Sequence, residues 1–122
     1  MVKYNIEYKE VKNETIKNHA NVRIATGSSN DDLKLAKKNT EKGEVDTLVH
    51  YRKRNDVIYR TLITLKDRTS ILIDGGLATG FIGNGPSAFK LLLIHLGVEE
   101  KEAEEVAERS NYNQAQIKIT FY

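Results

Sequence analysis

The sequence predicts an α+β domain in which an antiparallel, meander-rich β-sheet carries one short N-terminal helix and two C-terminal helices. Two observations lead to this class. Apolar and polar residues alternate in several short segments, which is typical of strands, and the segment 86–96 is apolar nearly all round, which is typical of a buried helix. The length of 122 residues is that of a single domain, so residues 1–122 are expected to form one unit.

The composition excludes several classes of protein. Cysteine is absent, so disulfides, thiolate catalysis and cysteine-ligated zinc sites are excluded. No apolar run approaches the ~20 residues of a membrane helix, and the start does not resemble a signal peptide, which predicts a cytoplasmic protein. The net charge is +2, with 15 Lys and Arg against 10 Asp and Glu in residues 1–70, a milder bias than duplex-binding proteins show.

The N-terminal third predicts two strands and a helix. Residues 3–11 alternate between apolar and polar positions and form the first strand. Residues 21–26 form the second, with Val22 and Ile24 directed inward and Arg23 on the other face. The other segments are polar loops at 12–18 and 39–44 and a helix at 31–39, which begins near Ser29 and Asp32.

The central third gives the clearest sheet signal. Residues 45–53 and 57–65 alternate on either side of a turn at 54–56, and a further strand follows at 69–73. In the first of these strands, Val45, Thr47, Val49 and Tyr51 are expected to share the apolar face. The opposite face is expected to be solvated and basic, because long charged side chains are mostly exposed, and to carry Arg52, Arg54 and Arg60 with His50 close by.

A glycine-rich loop then runs straight into the apolar helix. Five glycines lie between Gly75 and Gly85, Pro86 fits the first helical position, and Gly97 fits the left-handed position after the last turn. Because the core holds this helix, its first turn presents free N–H groups that attract anions. The spacing matches neither G-x-G-x-x-G nor the P-loop, so no specific cofactor is predicted, and a plain connector remains an alternative.

The C-terminal part predicts an acidic helix and a last strand. The helix covers residues 98–110, with Ala103 and Val106 on its inner side, and Arg109 lies in its last turn. Residues 115–121 alternate again and form the strand.

Few residues are suited to catalysis. His19, His50 and His95 lie on different predicted elements, so no metal site is expected. Asp74 is the one acid considered as a general base, although an Asp before Gly-Gly is more often a turn residue. The sequence therefore argues against an enzyme, and a small nucleotide hydrolase using Asp74 is kept as a minor alternative.

A different set of residues is suited to holding a nucleotide-like anion. The N–H groups of residues 84–87 could bind a phosphate, and Phe81 could stack on a base. Arg109 or a sheet arginine could contact the phosphate with both arms of its guanidinium. The alternatives are a Phe81 ring tucked into the core and an Arg109 that only stabilises the helix dipole.

The Gly-Asn-Gly-Pro-Ser segment at 83–87, the apolar helix, the acidic helix ending at Arg109 and the last strand together resemble the phage Thoeris anti-defence sponge proteins of the first type described. The resemblance covers most of the chain in length and element order. It implies a protein of the infected bacterial cytoplasm that is not an enzyme, needs no cofactor and sequesters a cyclic ADP-ribose isomer, 1''-2' or 1''-3' glycocyclic ADP-ribose. Bacterial TIR-domain proteins make this messenger, and its capture blocks the Thoeris effector.

The resemblance also implies self-association and a set of site residues. Ligand pockets are expected at a dimer interface within assemblies up to hexamers, with separate sites for cyclic oligonucleotides and no membrane or duplex partner. The base or ribose is expected near Phe81, the phosphate near Gly83, Asn84, Gly85 and Ser87, and a guanidinium from Arg109, with Arg23, Arg52 and Arg60 as candidates for a sheet-borne contact. The alternative is a small single-stranded nucleic-acid or protein-binding module that uses the basic sheet face.

Overall fold

A computed structural model describes residues 2–16, 19–41 and 43–122 and confirms the α+β class. Residues 17, 18 and 42, which belong to the predicted loops 12–18 and 39–44, lie outside the described residues. The elements are β1 (Tyr4–Glu10), β2 (Val22–Ile24), α1 (Ser29–Asn39), β3 (Val45–Lys53), a 3-10 turn (Arg54–Asp56), β4 (Ile58–Leu65), β5 (Ser70–Asp74), α2 (Asn84–Leu96), α3 (Glu100–Glu108) and β6 (Gln114–Phe121).

The six strands form one sheet in the order β1-β6-β3-β4-β5-β2. Strands β3, β4 and β5 are the predicted meander, and every pairing is antiparallel except that of β2 with β5. The C-terminal strand β6 lies between β1 and β3, so the N-terminal and C-terminal strands are neighbours and β1 forms one edge of the sheet.

The three helices cover one face of the sheet. Their apolar side chains join those of the strands in one cluster, in which Phe89, Leu92 and Leu93 of α2 are fully buried. Helix α2 begins at Asn84, two residues before Pro86, and ends at Gly97, whose left-handed φ of 107° and N–H bond to the Ile94 carbonyl match the expected helix stop. No helix of the described chain is long and apolar enough to cross a membrane.

The predicted face of β3 is wrong because the strand contains an irregularity. The register shifts between Val45 and Thr47, so Val45 packs in the same cluster as Leu48 on the helix-covered face. Because alternate residues share a face, His50 and Arg52 face the helices as Leu48 does, and both are 1% exposed. A one-residue shift moves every later side chain of a strand to the other face, which sequence alternation alone does not reveal.

The predicted basic outer face is therefore not formed. Tyr51 pairs with Arg60, and Arg52 pairs with Tyr59, so the two arginines lie on opposite faces of the sheet. On the face away from the helices, Ile16 packs on Tyr51 and covers part of the sheet.

The inward direction predicted for Val22 and Ile24 is confirmed, because they pair with Ile71 and Ile73 of the core. Ile24 is buried, whereas Val22 is 36% exposed because β2 is a three-residue strand at the edge of the sheet.

Candidate functional site

The loop between β5 and α2 is tied to the sheet and to α3 by main-chain hydrogen bonds. The Gly75 N–H donates to the Tyr59 carbonyl at 2.9 Å, and the Gly80 N–H donates to the Ala107 carbonyl at 2.8 Å. Close packing also requires a glycine where α2 begins, since a Cβ on Gly85 would lie 2.7 Å from the Ala78 Cβ. The loop is therefore held in one conformation against the core.

The N-terminus of α2 has no capping side chain. Gly83 occupies the cap position, Pro86 has no N–H, and the Ser87 N–H donates to the Gly83 carbonyl at 3.0 Å. The N–H groups of Asn84 and Gly85 have no partner within the helix. The other two helices are capped by side chains, α1 by Ser28 and α3 by Glu99.

Phe81 lies beside this helix terminus and remains open to solvent. Its side chain is 44% exposed, and a Cβ on Gly83 would lie 3.1 Å from the ring. Its ring centroid is 6.3 Å from that of Tyr59, which supports it from the sheet. Because the ring is held in place and still accessible, it can stack on a planar ligand.

Arg52 and Arg54 lie directly behind the loop. The Arg52 guanidinium is buried and donates to the carbonyls of Arg109 at 2.7 Å and Tyr112 at 2.8 Å, and to the Tyr8 hydroxyl at 2.6 Å. Burial lowers the pKa of Arg52 because it removes water from the cation. These partners are all formally neutral.

Arg54 is half-buried and bridges the glycine loop and the segment between α3 and β6. Its guanidinium donates to the Gly80 carbonyl at 3.1 Å and to the Ser110 carbonyl at 2.8 Å. Among the ion pairs of the described residues, none joins Arg52 or Arg54 to a carboxylate. Two cations without a counter-charge therefore stand behind the glycine loop.

His50 holds the side chain of Thr79, the residue before Gly80, in place. Its Nδ1 lies 2.8 Å from the Thr61 hydroxyl, and its Nε2 lies 2.9 Å from the Thr79 hydroxyl. Burial, with a smaller contribution from the neighbouring Arg52 cation, lowers the pKa of His50 to about 3. The ring is therefore neutral at physiological pH and holds Thr79 without adding charge to the site.

The structure brings together one part of the predicted site and separates the rest. Phe81, Gly83, Asn84, Gly85 and Ser87 share the terminus of α2. The Arg109 guanidinium lies 4.8 Å above the Tyr8 ring and lines a cleft between β1 and α3, so its contacts are with β1.

Arg23 and Arg60 lie on the face of the sheet away from the helices. Arg60 bonds both carboxylate oxygens of Glu14, at 2.9 and 2.7 Å, and Arg23 bonds the Asp74 carboxylate at 2.8 Å. Asp74 is thus engaged by an arginine rather than directed at the loop, which leaves its proposed role as a base without geometric support.

Sequence reasoning missed Arg54 as a site residue. Because Arg54 follows a strand, the alternation pattern puts it on the solvated face, and its approach to Gly80 depends on a contact between residues 26 positions apart. The one sequence feature that could have pointed to Arg54 is its position in a turn.

No family model, curated protein or solved structure was found to match this chain. Within the described residues, no group of three His, Cys, Asp or Glu side chains is placed to hold a metal ion.

Proposed function

We propose that this protein binds and sequesters a cyclic ADP-ribose isomer at the glycine loop without cleaving it, as a phage-encoded inhibitor of Thoeris immunity. The observation that carries the proposal is the uncapped terminus of α2, with accessible Phe81 beside it and Arg54 behind the loop.

Each part of such a ligand has a matching group. A phosphate fits the N–H group of exposed Asn84, next to that of buried Gly85, and the helix dipole also favours negative charge there. The adenine base fits the open side of the Phe81 ring. Arg54 donates to two carbonyls through Nη1, and its other nitrogens are proposed to bind the second phosphate, while buried Arg52 adds positive potential without direct contact.

The rigidity of the loop supports storage of the ligand. Main-chain bonds, close packing of Gly85 and the His50–Thr79 bond fix the site before the ligand arrives, which lowers the ordering cost of binding. Storage also requires that no base reaches the ligand, and the carboxylate of Asp74 is held by Arg23.

A single subunit offers an open surface at this terminus, since Phe81 and Asn84 are both exposed. We therefore propose that a second subunit closes the pocket, and that the protein acts as a dimer or a larger assembly. Native mass spectrometry of the protein with and without ligand measures the number of subunits and of ligands bound.

Calorimetric titration with the two glycocyclic ADP-ribose isomers tests the proposal. We expect tight binding of at least one isomer and its recovery intact after heat denaturation of the complex. Arg54→Gln should weaken binding about tenfold or more, because it removes a charged contact. The matched control Arg23→Gln should bind as the unaltered protein does. Absence of binding, or recovery of a cleaved ligand, would contradict the proposal.

A further inference from the structure

Strand β1 forms one edge of the sheet, and among the described residues one of its long sides has no partner strand. The Tyr122 N–H donates to the Lys3 carbonyl, and the Val11 N–H donates to the Gln114 carbonyl. In an antiparallel ladder alternate residues bond the same neighbour, so the odd-numbered residues of β1 bond β6. The N–H and C=O groups of the even-numbered residues therefore point away from the sheet; these are Tyr4, Ile6, Tyr8 and Glu10.

Two of these residues, Ile6 and Tyr8, also form one wall of a cleft. The cleft has a volume of about 370 Å³, and α3 forms its other wall. Its lining residues are Ile6 and Tyr8 from β1, and Glu102, Glu105, Val106 and Arg109 from α3 and its end. A strand added to the free edge would thus project every second side chain into this cleft.

The charge of the cleft differs between its two ends. Glu102 accepts a hydrogen bond from the Tyr4 hydroxyl, which places the acidic end beside the start of β1, whereas Arg109 covers Tyr8 at the other end. Residues 100–108 of α3 contain five Glu and one Lys, so the acidic end is not neutralised by its own helix. A basic side chain complements it.

We propose that the free edge of β1 and the adjoining cleft dock an extended segment of another protein, with a Lys or Arg side chain between Glu102 and Glu105. The segment gains main-chain hydrogen bonds from the even-numbered residues of β1, and the cleft selects the basic side chain. This surface is separate from the glycine loop and does not depend on the nucleotide site.

A second copy of this chain fits the edge less well. A two-fold axis through two paired β1 strands would bring two α3 helices side by side on the same face of the joined sheet. Glu102 and Glu105 of both copies would then face each other, and like charges in such an arrangement oppose association.

Selection from a phage-displayed library of random heptapeptides tests the proposal. We expect Lys or Arg to be enriched about threefold or more at one position. With a selected peptide bound, hydrogen exchange of the Tyr4, Ile6 and Tyr8 amides should slow about tenfold or more, while the Asn5 and Glu7 amides, already bonded to β6, should change little.

Two matched variants separate the cleft from general charge. The pair Glu102→Gln and Glu105→Gln keeps the shape of the cleft and should weaken peptide binding about fivefold. The pair Glu104→Gln and Glu108→Gln removes the same charge from α3 outside the cleft and should leave binding within about twofold. Failure to select basic peptides, equal effects of the two pairs, or concentration-dependent protection of β1 without peptide would overturn the proposal.

Discussion

On the helix-covered face of the sheet, Arg52 donates to main-chain carbonyls, whereas on the opposite face Arg60 is held by the carboxylates of Glu14 and Asp74. The carboxylates cancel the charge of Arg60 and of its neighbour Arg23. Carbonyl oxygens orient the guanidinium of Arg52 but leave its formal charge. In the sequence these arginines are equivalent cations. In the folded protein, of these three, only Arg52, which is bound by carbonyl oxygens, keeps a positive potential that can attract an anion.

The position of each group relative to α2 strengthens the contrast. The carbonyl-bound arginines lie behind Gly80, in the loop that leads to the open helix terminus. The carboxylate-bound arginines lie on the other side of the sheet, partly under the segment that carries Glu14 and Ile16. This contrast supports the proposal that the ligand binds at the first region, whereas the second has a structural role.

The largest expected effect is on stability, when Arg52 is replaced. Arg52→Met should lower the free energy of unfolding by about 3 kcal/mol, because the part-buried carbonyls of Arg109 and Tyr112 lose their donor. Arg60→Met should cost about 1 kcal/mol, since its partner Glu14 can still reach water. Urea unfolding of both variants measures the difference. Equal losses would remove the distinction between the two regions.

The second effect is a dependence of the free energy of unfolding on pH, which arises from the neutral ring of His50. Its folded pKa is lowered to about 3, so between pH 6.5 and 3 the unfolded chain binds a proton that the folded protein does not. Stability should therefore fall as the pH drops below 6.5, by about 2 kcal/mol at pH 5.

Urea unfolding at several pH values measures the dependence on His50. His50→Gln should flatten it between pH 6.5 and 5, and His19→Gln, at an exposed position, should not. A dependence that persists in His50→Gln would mean that another group is responsible.

The third effect separates binding from stability at the helix terminus. Gly83→Asp places a capping carboxylate where we propose that the phosphate binds, and the extended φ of 170° accepts a side chain. The variant should be about 0.5 kcal/mol more stable, provided that the Phe81 ring moves slightly, and should lose ligand binding. Thermal unfolding and calorimetry on one preparation test both. A stabilised variant that still binds would place the ligand elsewhere.

The smallest effect is expected for the exposed pair of Arg23 and Asp74. Arg23→Gln should change the free energy of unfolding by about 0.5 kcal/mol or less, because the Arg23 side chain is 57% exposed and the pair is screened by solvent. Raising the salt concentration should erase even this difference in urea unfolding. A larger loss would show that the carboxylate-bound region contributes more than charge neutralisation.

Sequence patterns predicted the elements well and their faces less well. The stop at Gly97, the burial of α2 and the strand at 45–53 follow from local residue choices, which is why they could be predicted. The insertion of β6 between β1 and β3 and the shift after Val45 depend on long-range pairing. No local pattern encodes either feature.

The same division applies to the candidate site. The segment from Phe81 to Ser87 could be predicted because glycine, proline and an exposed aromatic are local signals. The choice of arginine could not, since Arg54 meets Gly80, and Arg60 meets Glu14, only after folding.

The most direct test of the ligand site is the movement of amide signals in a nuclear magnetic resonance titration with glycocyclic ADP-ribose. We predict that the amides of Asn84 and Gly85 show the largest changes, followed by those of Gly80 and Phe81. Largest changes around Arg23 and Arg60, or no change at the start of α2 at saturating ligand, would contradict the assignment of the site to the glycine loop.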